Sequence, residues 1–396
     1  MTMDRAHFLR LMALGSLGIS LAPAAFLRAL ATSSPQRKLV LIELQGGNDG
    51  LNTLIPFTDS RYYQLRPKLA IPKEKVLPLS KNQGVHPAMA SLLPYWKKGQ
   101  WAWINGVGYP NPNRSHFRSI EIWETASTGY RRQGWLEAPL KQRKDRAQFP
   151  LDGVLARADT SGPFAGQALS VLSTADVFRF SRQRGPAAPR AQTSSGNNAL
   201  AHIQQLTRQK QQLQRQVFDH MQQQTQRFKT WRSGFPRTPI GRELADVACC
   251  ILTELPAPVY KVTLKGFDTH RGQARTHWRL LKDLSEALSA FAHLLETEKQ
   301  WDQTLVMSYS EFGRRPAENG SGGTDHGTAA PHFVLGGRVA GGLYGSVPDL
   351  KPIQHTRDNL NYAVDFRQLY RTVIEHWWQQ SVPSEYAAYE SLSFIR

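Results

Sequence analysis

Acidic and imidazole side chains cluster in one strand-loop-strand segment near the end of the chain. An apolar run over residues 304–309 predicts a buried strand, and Glu311 follows directly after it. A loop rich in Gly, Asn and Ser then carries Asp325 and His326, and His332 stands at the start of a second apolar run. Carboxylates and imidazoles are ligand types for divalent metals. The segment therefore predicts a metal site, against the simpler interpretation of helix-capping acids and a surface histidine.

Two other predicted strands also end in candidate ligands. The apolar run over residues 38–44 leads into Gly-Gly-Asn-Asp-Gly, which carries Asp49, and the run over 259–264 leads into Gly-Phe-Asp-Thr-His. The second motif carries Asp268 and His270. Such strand ends line the crevice where ligands bind in an open α/β sheet. The repetition favours one shared site, although a plain turn at Asp49 and a capping role for Asp268 or His270 remain the simpler alternatives.

A serine stands where a helix is expected to begin. The apolar run over residues 101–107 predicts a strand, and an amphipathic pattern after Arg114 and Ser115 predicts a helix from His116 to about residue 126. The simpler role of Ser115 is to cap that helix. Its alternative role is that of a nucleophile, because free N–H groups at a helix N-terminus suit a phosphate or sulfate ester.

The composition fits a large soluble protein with a basic surface. The chain has 396 residues, 40% of them hydrophobic, a formal net charge of +18 and a mean hydropathy of −0.45. This length suits two or three domains, or one large α/β domain with an insertion. No helix-turn-helix, zinc-finger or RNA-recognition pattern is found, so a specific nucleic-acid partner is not expected. The charge favours anionic esters or envelope polymers as partners, and a solvated basic surface without a partner is the equal alternative.

The first 31 residues have the pattern of an export signal. Arg5 and Arg10 precede an apolar stretch over residues 11–27, and a small-x-small cleavage pattern follows. The segment is similar to a twin-arginine signal in which Ala6 replaces the second arginine. A membrane anchor is the alternative, which the glycines and proline of the apolar stretch weaken. We therefore expect an exported, periplasmic protein without a membrane span after signal removal.

The region from about residue 131 to 236 differs in composition from the rest. It is basic and Gln-rich, with helical spacing of apolar residues over 199–231. This pattern predicts a mostly helical insertion, such as a lid or a partner-binding segment, within an α/β domain that spans residues 38–378.

The motifs together resemble a known family. Gly-Gly-Asn-Asp-Gly, Ser-His-Phe, Phe-Asp-Thr-His, Ser-Glu-Phe-Gly-Arg and Gly-Thr-Asp-His-Gly occur in this order behind an export signal. They resemble the domain of unknown function 1501 family of exported bacterial proteins over residues 38–378. That family is similar to the alkaline phosphatase and sulfatase superfamily, whose enzymes hold two divalent metals and use a Ser or Thr nucleophile at a helix N-terminus.

The resemblance implies a role for each matching residue. It implies Asp49 as the first metal ligand, Ser115 as the nucleophile, Asp268 with His270 at a second metal, Glu311 at the strand end, and His326 as the final metal-binding histidine. Two positions depart from the superfamily pattern. Only one residue separates Asp268 from His270, where three are usual, and Phe312 stands where a ligand histidine is expected. These departures leave open a single metal site, or one rebuilt with Asp325, His326, His332 or His116.

The sequence thus predicts an α/β protein, alkaline phosphatase-like, with a central and mostly parallel sheet flanked by helices. The expected function is hydrolysis of phosphate or sulfate esters, with one or two ions of zinc, or else magnesium or manganese. The expected catalytic residues are Arg114, Ser115 and His116, and the expected substrate contacts are Asn48, Arg314 and His332. The alternative is an exported binding or assembly protein on the same fold, for example one that binds anionic envelope polymers. The oligomeric state is left open.

Overall fold

The computed structural model describes residues 37–143, 151–157, 160–166, 168–175, 224–255 and 257–396, with five further residues at 215, 217, 219, 221 and 222. The predicted export signal lies outside the described residues, as does the central part of the predicted helical insertion, residues 176–214. Among the helices of the described part, none is both long and apolar enough to cross a membrane.

The described part of the chain contains both strands and helices. The strands are β1 Lys38–Gln45, β2 Leu54–Ile55, β3 Leu77–Pro78, β4 Gly84–Val85, β5 Trp101–Gly108, β6 Gly153–Ala156, β7 Val171–Ser173, β8 Val259–Lys265, β9 Thr304–Tyr309, β10 Ala330–Gly336, β11 Gly342–Tyr344 and β12 Val364–Asp365. The α-helices are α1 Ser60–Leu65, α2 Leu93–Lys97, α3 His116–Thr125, α4 Glu137–Lys141, α5 Thr225–Ser233, α6 Pro239–Leu252, α7 Gln273–Thr297 and α8 Phe366–Thr372.

One large sheet organises the described residues. It has nine strands in the order β11-β5-β10-β9-β1-β8-β6-β7, with β12 also paired to β5. All neighbouring pairs are parallel except those of β10, which runs antiparallel to both β5 and β9. Strands β2, β4 and β3 form a separate small antiparallel sheet. The prediction of a mostly parallel sheet flanked by helices is confirmed.

Both faces of the sheet are buried, which explains the unbroken apolar runs of its central strands. On β1, Val40, Ile42 and Leu44 join one core cluster, packed by α6 and α7, while Leu39 and Leu41 join a second, packed by α3 and α8. Such alternation follows from the two-residue period of a strand.

The register of the three central strands places their carboxyl ends together. Leu44 of β1 pairs with Leu264 of β8, and Glu43 of β1 pairs with Tyr309 of β9. The loops that follow these strands therefore leave the sheet at one edge. Those loops carry the predicted ligands.

Candidate metal centre

Three imidazoles surround the carboxylate of Asp268, which follows β8. The Nε2 atoms of His270 and His326 lie 3.0 and 3.1 Å from Asp268 Oδ1, and His116 Nε2 lies 3.5 Å from Oδ2. His270 Nε2 is also 3.0 Å from His326 Nε2. One ligand atom each from His116, Asp268 and His326 lie within 4.8 Å of one another. The structure thus brings together four predicted site residues from three separate loops.

The other ring nitrogen of each imidazole meets an oxygen that can only accept a hydrogen bond. The three contacts of Nδ1 are His116 to Glu311 Oε1 at 2.7 Å, His270 to Asp325 Oδ1 at 3.2 Å, and His326 to the Arg114 carbonyl at 3.0 Å. In the neutral form of such a ring, Nδ1 therefore donates and Nε2 presents a lone pair. These lone pairs face a carboxylate, which is also an acceptor. A divalent cation placed between these acceptor atoms would bind them all. A metal-bound imidazole usually donates its other ring N–H to an oxygen acceptor, as each of these rings can.

The spacing of these atoms suits a metal ion. Four ligands at tetrahedral zinc, with bonds of about 2.0–2.1 Å, are about 3.3 Å apart. The separations around Asp268 run from 3.0 to 3.5 Å. Imidazole nitrogen favours zinc or another transition metal, whereas magnesium prefers carboxylates and water. His116, Asp268 and His326 therefore form a group that could hold one transition-metal ion, and His270 lies beside it.

The charges around the cluster keep its carboxylate ionised. Burial favours the neutral form of Asp268, but the hydrogen bond and charge of the Arg314 guanidinium outweigh it and the pKa of Asp268 falls to about 2. The hydrogen bond to Glu311 raises the pKa of His116 above its ordinary value. Burial lowers the pKa of His326. The two imidazoles thus differ in basicity although both face the same carboxylate.

Ser115 lies at the edge of this cluster. It occupies the N-cap position of α3, is exposed, and makes no side-chain capping hydrogen bond. Its neighbours on both sides contact the cluster, since the Arg114 carbonyl bonds His326 and the His116 ring faces Asp268. The capping alternative is therefore not observed. The Ser115 hydroxyl is free for other chemistry.

A family comparison fits this chain over most of its length. The profile described as "Protein of unknown function (DUF1501)" matches residues 76–377. The chain belongs to this family. A search of curated proteins found no match for it.

The solved structures similar to this DUF1501 chain include members of the alkaline phosphatase superfamily. The lipoteichoic acid synthase LtaP from Listeria monocytogenes is 8% identical with a TM-score of 0.34, and the match covers 76% of this chain and 66% of that one. A superfamily protein from Vibrio parahaemolyticus is 11% identical with a TM-score of 0.29 over 76% and 60% of the two chains. Alkaline phosphatase from the Antarctic bacterium TAB5 is 12% identical with a TM-score of 0.34 over 78% and 95%. At such scores these similarities carry no functional argument.

Asp49, the predicted first metal ligand, does not belong to the group of His116, Asp268 and His326 in the described residues. Its side chain is fully buried and forms an ion pair with Arg66 at 2.6 Å, and Gln273 Nε2 donates to the same carboxylate oxygen. Burial alone raises the pKa of Asp49, but the Arg66 guanidinium outweighs it and the net shift is downward. The carboxylate is thus paired through Oδ2, its Oδ1 has no hydrogen-bond partner among the described residues, and its role as a metal ligand stays a prediction.

Glu311 and Asp325, also predicted as ligands, each contact an imidazole of the cluster. Glu311 is buried, where its carboxylate accepts hydrogen bonds from the Gly46 N–H at 2.9 Å and from His116. Asp325 accepts from His270. Both carboxylates therefore lie behind an imidazole and orient it.

The three predicted substrate contacts are buried instead. Asn48 Oδ1 lies 3.0 Å from His277 Nε2, and the His332 ring packs edge-on against Trp123. Burial lowers the pKa of His332 to about 3, so that ring is neutral. These side chains cannot reach a substrate at the surface.

Arg314 has its guanidinium engaged within the protein. It donates to the carbonyls of Gly47 at 2.9 Å, Thr324 at 2.8 Å and Phe267 at 3.0 Å, and to Asp268 at 2.6 Å. Arg314 thus joins the loops that follow β1, β8 and β9 and holds the central carboxylate. It is not free to bind substrate.

Phe312, which stands where the resemblance implies a histidine, is a packing residue. Its ring centroid lies 4.9 Å from that of His116 and 4.6 Å from that of His326. Gly47 makes room for it, because a Cβ there would come within 2.6 Å of the Phe312 ring. The ring thus supports two ligands without providing one.

Sequence reasoning missed Arg66 and Gln273. Arg66 lies at the end of the short helix α1 without any motif around it, and no local signal distinguishes it. Gln273 follows His270 by three residues at the first position of α7, where a buried amide is unusual. Its position beside the Phe-Asp-Thr-His motif was the only available signal.

Proposed function

We propose that this DUF1501 protein is an exported, metal-dependent hydrolase of phosphate or sulfate esters with one metal site. The observation that supports it most directly is the arrangement of three imidazole Nε2 atoms around Asp268, each with its Nδ1 held by an oxygen acceptor. Export is proposed from the signal pattern of the first 31 residues. The proposed partner is an anionic ester, and a specific nucleic-acid partner is not proposed.

The proposed ligands are His116, Asp268, His270 and His326. When bound there, a zinc ion or another divalent cation supplies a Lewis acid that stabilises negative charge on the ester oxygens. The residues themselves fix its position, because Glu311, Asp325 and the Arg114 carbonyl keep each imidazole in one orientation. The neutral pair of Asp49 and Arg66 argues against a second ion.

Ser115 is the proposed nucleophile. Its Oγ forms a bond to phosphorus or sulfur while the bond to the ester oxygen breaks, its proton passes to solvent, to which the side chain is open, and the leaving oxygen takes a proton from water to depart as the alcohol. The first N–H groups of α3 have no partner within the helix and suit the anionic oxygens of the group in transfer. Water then releases the acid from Ser115.

Arg114 is the proposed contact for a non-transferring oxygen. Its side chain is exposed next to Ser115, and a guanidinium can donate two parallel hydrogen bonds to a phosphate or sulfate. The net charge of +18 favours the approach of any anionic substrate.

The test begins with metal content of purified mature protein by elemental mass spectrometry. The parent is expected to hold about one zinc or other divalent ion per chain, and Asp268→Ala and His326→Ala to lose it. His293→Ala, which removes an exposed histidine on α7, is the matched control and should keep the ion. A folded parent that stays free of metal after incubation with zinc, manganese and magnesium would contradict the proposal.

The second step is a screen of aryl phosphates and sulfates. The loaded parent is expected to hydrolyse at least one class, and Ser115→Ala to lose about 1,000-fold or more of that rate, as expected for a nucleophile. The alternative function is a metal-holding binding protein without turnover. Phe312 favours this alternative, because it stands where the resemblance implies a metal ligand. A metal-loaded parent protein that hydrolyses none of the esters would support the alternative.

A further inference from the structure

We infer that Gln273 is a positioning residue that holds the two ligand-bearing loops of the metal centre at their working distance. It does so through a buried cluster, here called the Gln273 clamp, made of Asp49, Arg66, Thr269, Gln273 and Thr324. All five side chains are buried. The inference rests on the proposed metal site, and it gives the buried Asp49 a structural role.

The amide of Gln273 joins three segments of the chain. Its Oε1 accepts from the hydroxyls of Thr269 at 3.0 Å and Thr324 at 2.6 Å, and its Nε2 donates to Asp49. The partners fix the orientation of the amide, because Asp49 can only accept and both hydroxyls can donate. Because the Nε2 donor and the Oε1 acceptor of Gln273 both have partners, this buried side chain is held in one orientation.

The two threonines stand next to the proposed ligands. Thr269 lies between Asp268 and His270, and Thr324 precedes Asp325 and His326. The Thr324 N–H also donates to the Thr269 carbonyl at 3.2 Å. One amide side chain thus sets the spacing of the loop after β8 relative to the loop after β9.

The backbones of these loops are in close contact. A Cβ on Gly323 would come within 2.3 Å of the His270 carbonyl carbon and 2.4 Å of the Thr269 oxygen. A larger residue at Gly323 would therefore force the loops apart. The two loop backbones are therefore in direct contact, and the clamp sets the short distance between them.

The ion pair of Asp49 and Arg66 anchors the clamp to the rest of the fold. Arg66 Nε donates to the Pro316 carbonyl at 2.7 Å, and Nη2 donates to the Arg315 carbonyl at 2.9 Å. The Arg315 N–H in turn donates to the Asp325 carbonyl at 3.0 Å. The same buried pair therefore supports the second ligand loop from its other side.

The clamp matters because the proposed ligands come from separate loops and must lie very close together. His270 Nε2 and His326 Nε2 are 3.0 Å apart, and both are near Asp268. Loops free to move would separate these atoms. A site held at its working geometry binds more tightly, because the ion does not have to order it.

The experiment compares Gln273→Met with Gln83→Met. Both glutamines are fully buried and hydrogen-bonded through their amides, but Gln83 pairs with Asn105 and does not contact the ligand loops. Zinc affinity is measured by competition with a chromophoric chelator. Gln273→Met is expected to bind zinc about 10–100-fold more weakly than the parent, as is typical when a group behind the ligands is lost, whereas Gln83→Met should change the affinity less than about threefold.

A second readout does not depend on metal. Hydrogen exchange of the Thr324 amide in metal-free protein is expected to speed up at least about tenfold in Gln273→Met and to stay near the parent rate in Gln83→Met. Thr324→Val removes one hydroxyl with little change of shape, and it should weaken zinc binding and speed the same exchange if Gln273→Met fails to fold.

The outcomes separate the two proposals. If the parent binds zinc and neither Gln273→Met nor Thr324→Val changes affinity or exchange, the clamp is wrong and the metal site stands. If the parent binds no metal, the proposed function fails, and the exchange rate of Thr324 alone decides the clamp. Equal weakening by Gln83→Met would also overturn it, because the effect would then be general destabilisation.

Discussion

Asp49 and Asp268 follow neighbouring parallel strands at the same edge of the sheet, yet they have opposite environments. Asp49 is buried against Arg66, whereas the Asp268 side chain is 48% exposed and faces three imidazoles. Each acid comes shortly after a glycine at the end of an apolar run. The difference arises from the segments that each acid meets. Both carboxylates meet a buried guanidinium, Arg66 at Asp49 and Arg314 at Asp268, but only Asp268 is also open to solvent and faces imidazoles.

The largest expected effect is on the stability of the protein, which should fall more when Asp49 is replaced than when Asp268 is replaced. Asp49→Asn should lower the free energy of unfolding by about 3–5 kcal/mol, because it leaves the Arg66 charge buried without its partner. Asp268→Asn should cost less, about 1 kcal/mol, because that carboxylate is half exposed and the Arg314 guanidinium keeps its bonds to three backbone carbonyls. Urea unfolding in the presence of a chelator measures both. Similar losses in the two variants would mean that the acids are not distinct in role.

Metal affinity should show the opposite order, since it should fall more when Asp268 is replaced than when Asp49 is replaced. Asp268→Asn removes a proposed ligand and should weaken zinc binding by more than about 100-fold, beyond the range for groups behind the ligands. Isothermal titration with zinc on folded protein measures it. His293→Ala again serves as the control. Retention of parent affinity in Asp268→Asn would remove Asp268 from the site.

Glu311 offers a smaller test, through the pKa of His116. The hydrogen bond to Glu311 raises that pKa in the folded protein, so the protonated ring stabilises the metal-free fold below about pH 6.5 and this contribution is lost as the pH rises through the raised pKa. Zinc competes with the proton for His116 Nε2, so affinity should rise with pH over the same range.

Glu311→Gln should lower the His116 pKa and weaken zinc binding about 10–100-fold. An NMR titration of the His116 ring in metal-free protein reports the pKa directly. An unchanged midpoint in Glu311→Gln would show that the carboxylate does not control this ring.

The smallest effect is expected at the exposed Arg114. Arg114→Ala should raise the KM for an anionic ester about tenfold or less, with zinc affinity unchanged because His326 bonds only the backbone carbonyl of this residue. The effect should shrink with added salt, since exposed charges are screened. Lys97→Ala removes a distant exposed charge and should leave KM unchanged. An equal rise in KM for Lys97→Ala would reduce the role of Arg114 to general surface charge.

Much of the fold follows from local patterns. The predicted strands at 38–44, 101–107, 259–264 and 304–309 agree with β1, β5, β8 and β9 to within a residue at either end. Their apolar runs identify them because both faces of the sheet are buried. The sequence also named every side chain of the proposed ligand set, because strand ends with acids and imidazoles can be recognised within a few residues.

The tertiary structure decided which of these side chains act together. Arg66 meets Asp49 from helix α1, His326 meets the Arg114 carbonyl across more than 200 residues of chain, and Gln273 joins three loops. His332 is buried because β10 lies between two other strands. The sequence by itself therefore determined the strands and the candidate ligands, which depend on neighbours along the chain. Burial and pairing depend on which distant segments the sheet brings together, and no local pattern encodes that.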